Sequence, residues 1–340
     1  MKAAVIYGPM NIKVEEIEMP APGYGEALIK VEAAGICGSD LHYHRSKSEN
    51  SARRIMSGHE LSGKVTAIGD GVSRFVVGDR VGVEPLLGCG KCRFCLMGEY
   101  QLCKELTHPG GGFREYTVLR EDKVFLLPDN VSYEEAAILD CLAVGVHAIH
   151  RAGTTITDSI AVMGDGAIGL SVLEVAKATE VRKAALIGHH NSNLEIARKV
   201  GADIAMNSLT DDVAEEITRL TDGTGCDVVF ETVGGSSDTM EKAFQIAKPG
   251  GKIVVIGIFT REMSMDLLKP LRYEIDIIFS YSYSTWKGIP EFEIALDMLS
   301  RGMLDAKSLI THRFSLDRIN DAFQAALNKS ESGALKVLVI

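Results

Sequence analysis

Long apolar runs are missing from this chain: no uninterrupted hydrophobic stretch approaches the roughly 20 residues that a membrane-spanning helix needs. The opening residues, MKAAVIYGP, lack the basic, apolar and cleavage regions of a secretion signal. Positive charge is also in short supply. Lys and Arg number 36 against 46 Asp and Glu, a formal net charge of −10, and a nucleic-acid surface needs the opposite balance to release counterions. There is no repeat, no low-complexity tract and no long linker. The expectation is a cytoplasmic globular protein with neither membrane nor nucleic acid among its partners, whose thiols stay reduced and available to metals.

What is present begins with length. At 340 residues the chain exceeds what one hydrophobic core usually supports, so two domains are expected. The most specific stretch is Cys89 to Cys103, CGKCRFCLMGEYQLC. Cys89, Cys92, Cys95 and Cys103 can reach one ion from a single loop, and four thiolates fill the tetrahedron of a structural zinc. Unrelated buried cysteines and an iron–sulfur cluster are the alternatives. Against the first stand the Gly, Lys, Arg and Glu between the thiols; against the second, the lack of another cysteine cluster or of a following Cys-Pro. A cage closed by thiolates leaves no coordination position open, so this metal is expected to hold a lobe together and to do no chemistry.

Residues 1 to 85 carry short alternating or apolar runs broken by Gly and Pro: KAAVIY, EALIKVEAAGI, SGKVTAIG and DRVGVEP. These read as strands of a β-rich domain. Among them, CGSDLH at 37–42 and GHE at 58–60 offer Cys37, His59 and Glu60, a thiolate, imidazole and carboxylate set of the kind a catalytic zinc uses when one position stays open. A buried thiol and a satisfied core histidine are the alternative at this point. Strand character returns at 110–127, and VSYEEAAILDCLAVGVHAIHRAG reads as one helix opened by Ser132, with Glu134 and Glu135 in its first turn. Asp140 lies in an otherwise apolar part of that helix, where burying an ionised carboxylate is costly unless a cation such as zinc compensates it.

From about residue 158 strands and helices alternate over some 120 residues, the pattern of a doubly wound parallel sheet. Gly164, Gly166 and Gly169, with Ala167 and Ile168 between them, fit G-x-G-x-x-G at the junction of the first strand and its helix, where a pyrophosphate meets free N–H groups and a positive dipole end. A glycine turn without a ligand is the alternative. The second strand ends at Gly188 with no carboxylate, where an NAD site normally carries one for the ribose hydroxyls. His189, His190 and Asn193 could instead donate to a 2′-phosphate, so NADP is favoured over NAD. Beyond about 275, IDIIFSYSYSTWKG leads to the helix PEFEIALDMLSRG, a turn LITHRF, an amphipathic helix SLDRINDAFQAAL and a closing strand LKVLVI, which is expected to rejoin the first domain's sheet.

With GICGSDLH, GHE, the cysteine lobe, GDGAIG and LITHRF in this order, the chain resembles the medium-chain, zinc-dependent alcohol dehydrogenases over essentially its whole length. The resemblance implies an α/β chain: a GroES-like, β-rich catalytic domain at 1–145 and 285–340 with a zinc lobe at 86–105, and a Rossmann dinucleotide domain at 146–284. It implies two zinc ions per chain. Cys37 and His59 match catalytic ligands, Asp140 a further ligand, and Glu60 a carboxylate able to swing onto the metal. Ser39 matches the hydroxyl that meets the reacting alcohol, His42 the next proton carrier, and Asp40 a group that orients a ligand or the relay. Val233, Gly257 and Ile258 join the glycine turn as cofactor contacts. The activity implied is hydride transfer between NADP(H) or NAD(H) and a secondary alcohol or ketone, the substrate small and hydrophilic or polyhydroxylated. Sorbitol-type members carry Phe-Arg-Tyr where this chain has Phe279-Ser280-Tyr281, a departure that argues against a sugar polyol. Tyr43, Arg114, Tyr283 and Trp286 are candidates for the pocket wall. An NAD-linked sorbitol, threonine or sugar-acid dehydrogenase is the alternative enzyme, a non-catalytic nucleotide-binding redox sensor the alternative of another class, and a homodimer or homotetramer the implied assembly.

Overall fold

In the strand Glu26–Gly35, Ala27 and Ile29 are wholly buried while Lys30 faces water, the period of two that builds a sheet with one covered face. This strand pairs antiparallel with Glu60–Ile68, Tyr116–Arg120 and Lys336–Val339. A seven-stranded sheet extends from it through Arg80–Val83 to Val124–Leu126 on one side, and past the closing strand to Ile310–Phe314 on the other. Lys2–Ile6 joins Ile12–Glu16 and Arg54–Ile55 in a smaller sheet. The structure is a computed structural model describing residues 1–8, 11–45, 54–55 and 58–340, with backbone only at 42–45 and 54–55.

The closing strand completes the N-terminal core. Phe323, on the helix Ile319–Leu327, meets Phe113 edge to face with ring centres 5.7 Å apart, among Ile29, Leu61, Val81 and Val337. One compact unit therefore comprises Met1–Asp140, Ser284–Ser300 and Ala306–Ile340; the other comprises Cys141–Tyr283 and Arg301–Asp305. The turn expected at LITHRF is instead the strand Ile310–Phe314, parallel to Lys336–Val339. Its β-branched and aromatic residues suit a pleated, half-buried surface, but five residues are too few to show that in sequence. The single helix expected from Ser132 is two helices, Tyr133–Ala137 and Leu139–Ala152. Ser132 closes the first with a capping box: its hydroxyl accepts the Glu135 N–H at 3.3 Å, and the Glu135 carboxylate accepts the Ser132 N–H at 2.9 Å. The break at Ile138 leaves Asp140 half-buried in the first turn of the second helix, where a carboxylate is favoured by the dipole.

The second unit holds six parallel strands in the order Ile204–Asn207, Lys183–Gly188, Ser159–Met163, Cys226–Glu231, Ala247–Val255 and Asp276–Phe279. Ser159–Met163 is buried along its whole length, as a strand covered on both faces must be. The chain starts there, winds outward through the second and third strands, then returns to place the fourth beside the first. That reversal is a topological switch point, where open α/β sheets bind ligands beyond the carboxyl ends of their strands. No helix among the described residues is long and apolar enough to cross a membrane.

Candidate functional site

The lobe at 89–103 folds around its sulfurs. Short helical turns at Arg93–Leu96 and Tyr100–Leu102 fold the segment back, and the Sγ atoms of Cys89, Cys92, Cys95 and Cys103 all lie within 4.8 Å of one another. Cys89 to Cys95 measures 4.0 Å and Cys92 to Cys95 3.5 Å, against about 3.8 Å between thiolates set tetrahedrally around zinc at ~2.3 Å. Backbone N–H groups of Cys89, Cys92 and Glu105 donate to these sulfurs at 3.4 Å. Backbone N–H groups of Lys91 and Cys92 hold the Cys89 thiol down at about 7, towards the thiolate that a metal requires, while burial pushes the Cys95 thiol up to about 12. The donor set fits zinc.

A second cluster lies where the strand Glu26–Gly35 hands over to the helix Gly38–Arg45. The ligand atoms of Cys37, His59 and Glu60 come within 4.8 Å of one another. Asp40 pins the turn: one carboxylate oxygen accepts the Cys37 N–H at 2.9 Å, and the other stands 3.9 Å from Nδ1 of His59. Burial works to lower the His59 pKa, but the Cys37 sulfur, then Asp140 and Asp40, outweigh it and raise it to about 10. A pocket that grips a proton so firmly is one of surplus negative charge, which a divalent cation satisfies. Asp140 acts on this cluster, and on His108, through its charge without belonging to the close three-residue set. Ser39 is exposed in the first turn of the helix. The side chains of His42 and Tyr43 lie outside the described residues.

Two members of this neighbourhood carry no sequence signal. Lys336, on the closing strand, forms a buried ion pair with Glu60 at 2.5 Å, a contact between residues 276 apart. Gly35 leaves room for this pair, because a Cβ there would lie 2.1 Å from Oε2 of Glu60 and would push the carboxylate aside. His108 is the other, and burial lowers its pKa ahead of the nearby His59 charge. Of the pocket-wall candidates, Arg114 donates to the Gly110 carbonyl at 3.2 Å, Tyr283 is wholly buried in the other unit, and Trp286 is partly exposed with Lys287 over its ring.

In the second unit the glycine turn sits at the switch point. Gly164 takes a φ of 116°, which side chains rarely tolerate. A Cβ on Gly169 would come 2.0 Å from the Gly164 carbonyl, so the helix Ala167–Ala178 can approach the strand only without one. Gly166, the N-cap of that helix, is different: φ is −79° and an added Cβ would meet nothing of the protein. The space it leaves faces the free N–H groups of the helix, which suits a pyrophosphate. At the end of the fourth strand, Glu231 accepts the N–H groups of Val233 and Gly234 at 2.9 Å and the Thr239 hydroxyl at 2.7 Å. This fixes the loop bearing Val233 beside Gly257, whose Cβ would collide with Gly234, and Ile258 stays exposed.

The end of the second strand departs from the sequence reading in one respect. Gly188 brings no carboxylate, but Asp165 of the glycine turn brings one to the same place. Its Oδ2 accepts the N–H groups of His189 at 3.0 Å and His190 at 2.7 Å, and Nδ1 of His190 lies 3.1 Å from both oxygens. The Asn193 amide donates to the Asp165 carbonyl at 2.9 Å. The premise behind the preference for NADP, an acid-free end to this strand, is therefore corrected.

Comparison with known proteins gives a consistent match. The family model for the alcohol dehydrogenase GroES-like domain matches residues 23–129, and that for zinc-binding dehydrogenase matches 167–301. The sorbitol dehydrogenase of Bacillus subtilis (strain 168) is 37% identical, across 100% of this chain and 97% of its own length. The L-idonate 5-dehydrogenase of Vitis vinifera is 33% identical, across 99% and 93%. Among solved structures, the galactitol-1-phosphate dehydrogenase from Escherichia coli superposes with a TM-score of 0.91 at 30% identity, covering 100% of both chains.

Proposed function

Since this chain belongs to the zinc-dependent medium-chain alcohol dehydrogenases, we propose that it moves hydride between NAD(P)(H) and a small polyhydroxylated secondary alcohol or its ketone, in the cytoplasm and as a homo-oligomer. The observation that carries this reading is the convergence of Cys37, His59 and Glu60 on one point inside a pocket of surplus negative charge. Cys37 and His59 would hold the catalytic zinc, with Glu60 or Asp140 completing its shell. Zinc at that place supplies Lewis acidity, lowering the pKa of a substrate hydroxyl and polarising a ketone in the reverse direction. Ser39 would take the hydroxyl proton and His42 pass it to solvent. Asp40 fixes the Cys37 backbone and faces His59, so it positions the ligands. Cys89, Cys92, Cys95 and Cys103 would hold the second zinc and shape the lobe.

The nucleotide would lie along the switch point of the second unit. Gly164, Gly166, Ala167, Ile168 and Gly169 meet its pyrophosphate, Gly188, His189, His190 and Asn193 flank its adenosine ribose, and Val233, Gly257 and Ile258 line the fourth and fifth strands' ends. Similarity to a sorbitol dehydrogenase supports a polyol.

The test is metal analysis with turnover across three- to six-carbon polyols and their ketones. Two zinc ions per chain are expected. Cys37→Ser and His59→Ala should each remove one and lower kcat by about a thousandfold or more. Cys89→Ser should remove the other and lower the melting temperature first. Full turnover in Cys37→Ser would sink the assignment.

A further inference from the structure

An acid at position 188 is sterically excluded in this protein. A Cβ there would lie 2.3 Å from Cβ and 2.5 Å from Oδ2 of Asp165. The space at the end of the second strand thus has room for one carboxylate, and the glycine turn supplies it from 23 residues upstream. Two of the side chains offered to a 2′-phosphate by the sequence are already engaged by this same residue, the His190 ring, which must carry its proton on Nδ1 to face a carboxylate, and the Asn193 amide; the backbone N–H groups of 189 and 190 are engaged by it as well. Oδ1, whose contact among the described residues is the shared Nδ1, keeps lone pairs for a neutral hydroxyl donor. A dianionic phosphate has no proton to offer it and meets its charge in a nearly buried setting, where screening is weak.

Resting on the reading of this unit as a dinucleotide site, we propose that Asp165 is the specificity-determining acid of the nucleotide site, selecting NAD(H) and rejecting the 2′-phosphate of NADP(H). It does from the glycine turn what an acid at the strand's end does elsewhere. Its backbone position is fixed by the fold of the turn, and its carboxylate is aimed by two consecutive N–H groups of the opposing segment.

The experiment is calorimetric binding of ADP-ribose and of its 2′-phosphate to the full chain, alongside kcat/KM for NAD and NADP. Wild type is expected to bind ADP-ribose at least about tenfold more tightly than its 2′-phosphate. Asp165→Asn should shrink that ratio about tenfold or reverse it. The double variant Asp165→Gly with Gly188→Asp, which returns the acid to the strand once the collision is removed, should restore it, and so separates lost charge from a damaged turn. Tighter binding of the 2′-phosphate by wild type, binding of neither probe, or a ratio unmoved by Asp165→Asn would overturn the proposal. Absence of hydride transfer with either nucleotide, while the binding ratio holds, would instead refute the dehydrogenase reading and leave the role of Asp165 supported.

Discussion

Glu174 is a carboxyl group almost wholly buried in the helix Ala167–Ala178, accepting the Asp305 N–H at 2.7 Å. Burial raises its pKa from 4.5 to about 7, against the pull of that hydrogen bond. The folded protein therefore holds this proton more tightly than the unfolded chain does. The resulting stability is fully present below about pH 4.5 and is lost as pH rises through about 7, a change on the order of 3 kcal/mol. Glu174→Gln keeps an acceptor for Asp305 and removes the titration. Its urea midpoint should match wild type near pH 4.5 and exceed it at pH 8; parallel pH profiles for the two proteins would dismiss the effect. Lys336 calls for the opposite sign. With its charge removed in Lys336→Met, Glu60 is left buried against a poorer neighbour, and a loss of about 3 kcal/mol is expected. Adding Glu60→Gln should recover part of that stability in a double-variant cycle, whereas additive losses would show that the two do not act as a pair.

At the scale of elements, what a sequence reveals depends on how local the physics is. The cysteine lobe is legible because its four ligands lie on one loop, and the glycine turn because strand, turn and helix are consecutive. Helix starts are legible for the same reason, as Ser132 shows. The break at Ile138 and the strand Ile310–Phe314 are not, since no Gly or Pro marks the first in the run AAILD and the second depends on a partner strand further along. Asp165 is the clearest case: the strand's end looks free of acid when read along the chain, and only the fold brings the carboxylate across. The same geometry predicts the behaviour of Gly188→Ala. Its methyl would overlap Asp165, so the turn must shift and affinity for ADP-ribose should fall about tenfold or more, with secondary structure by circular dichroism unchanged. Unaltered affinity would mean that the crowding at Asp165 relaxes freely and does not organise the nucleotide site.

The candidate ligand sites of the whole molecule divide between its two units. The candidate metal ligands Cys37, His59, Glu60, Asp140 and the lobe cysteines all belong to the first unit, and the glycine turn, Asp165 and the loop after Glu231 all belong to the second. Each unit has its own buried cluster, one built on Ile29, Phe113 and Phe323 and the other on Ala161, Val229 and Ile253. A ligand stabilises what it binds by mass action, about 2.7 kcal/mol at a hundred times its dissociation constant. Hydrogen exchange followed peptide by peptide should therefore show two separable footprints. ADP-ribose is expected to slow exchange around 159–170, 186–193 and 231–235, since it completes the turns at those strand ends. If the lobe holds the proposed zinc, a chelator should speed exchange at 88–107, where four thiolates would lose the ion that offsets their charge and the short helices between them have little buried surface of their own. The chelator should leave the ADP-ribose footprint in place, because no candidate metal ligand lies on a strand of the parallel sheet. A chelator that erased nucleotide protection, or an ADP-ribose footprint centred on the cysteine lobe, would show that this division of labour is mistaken.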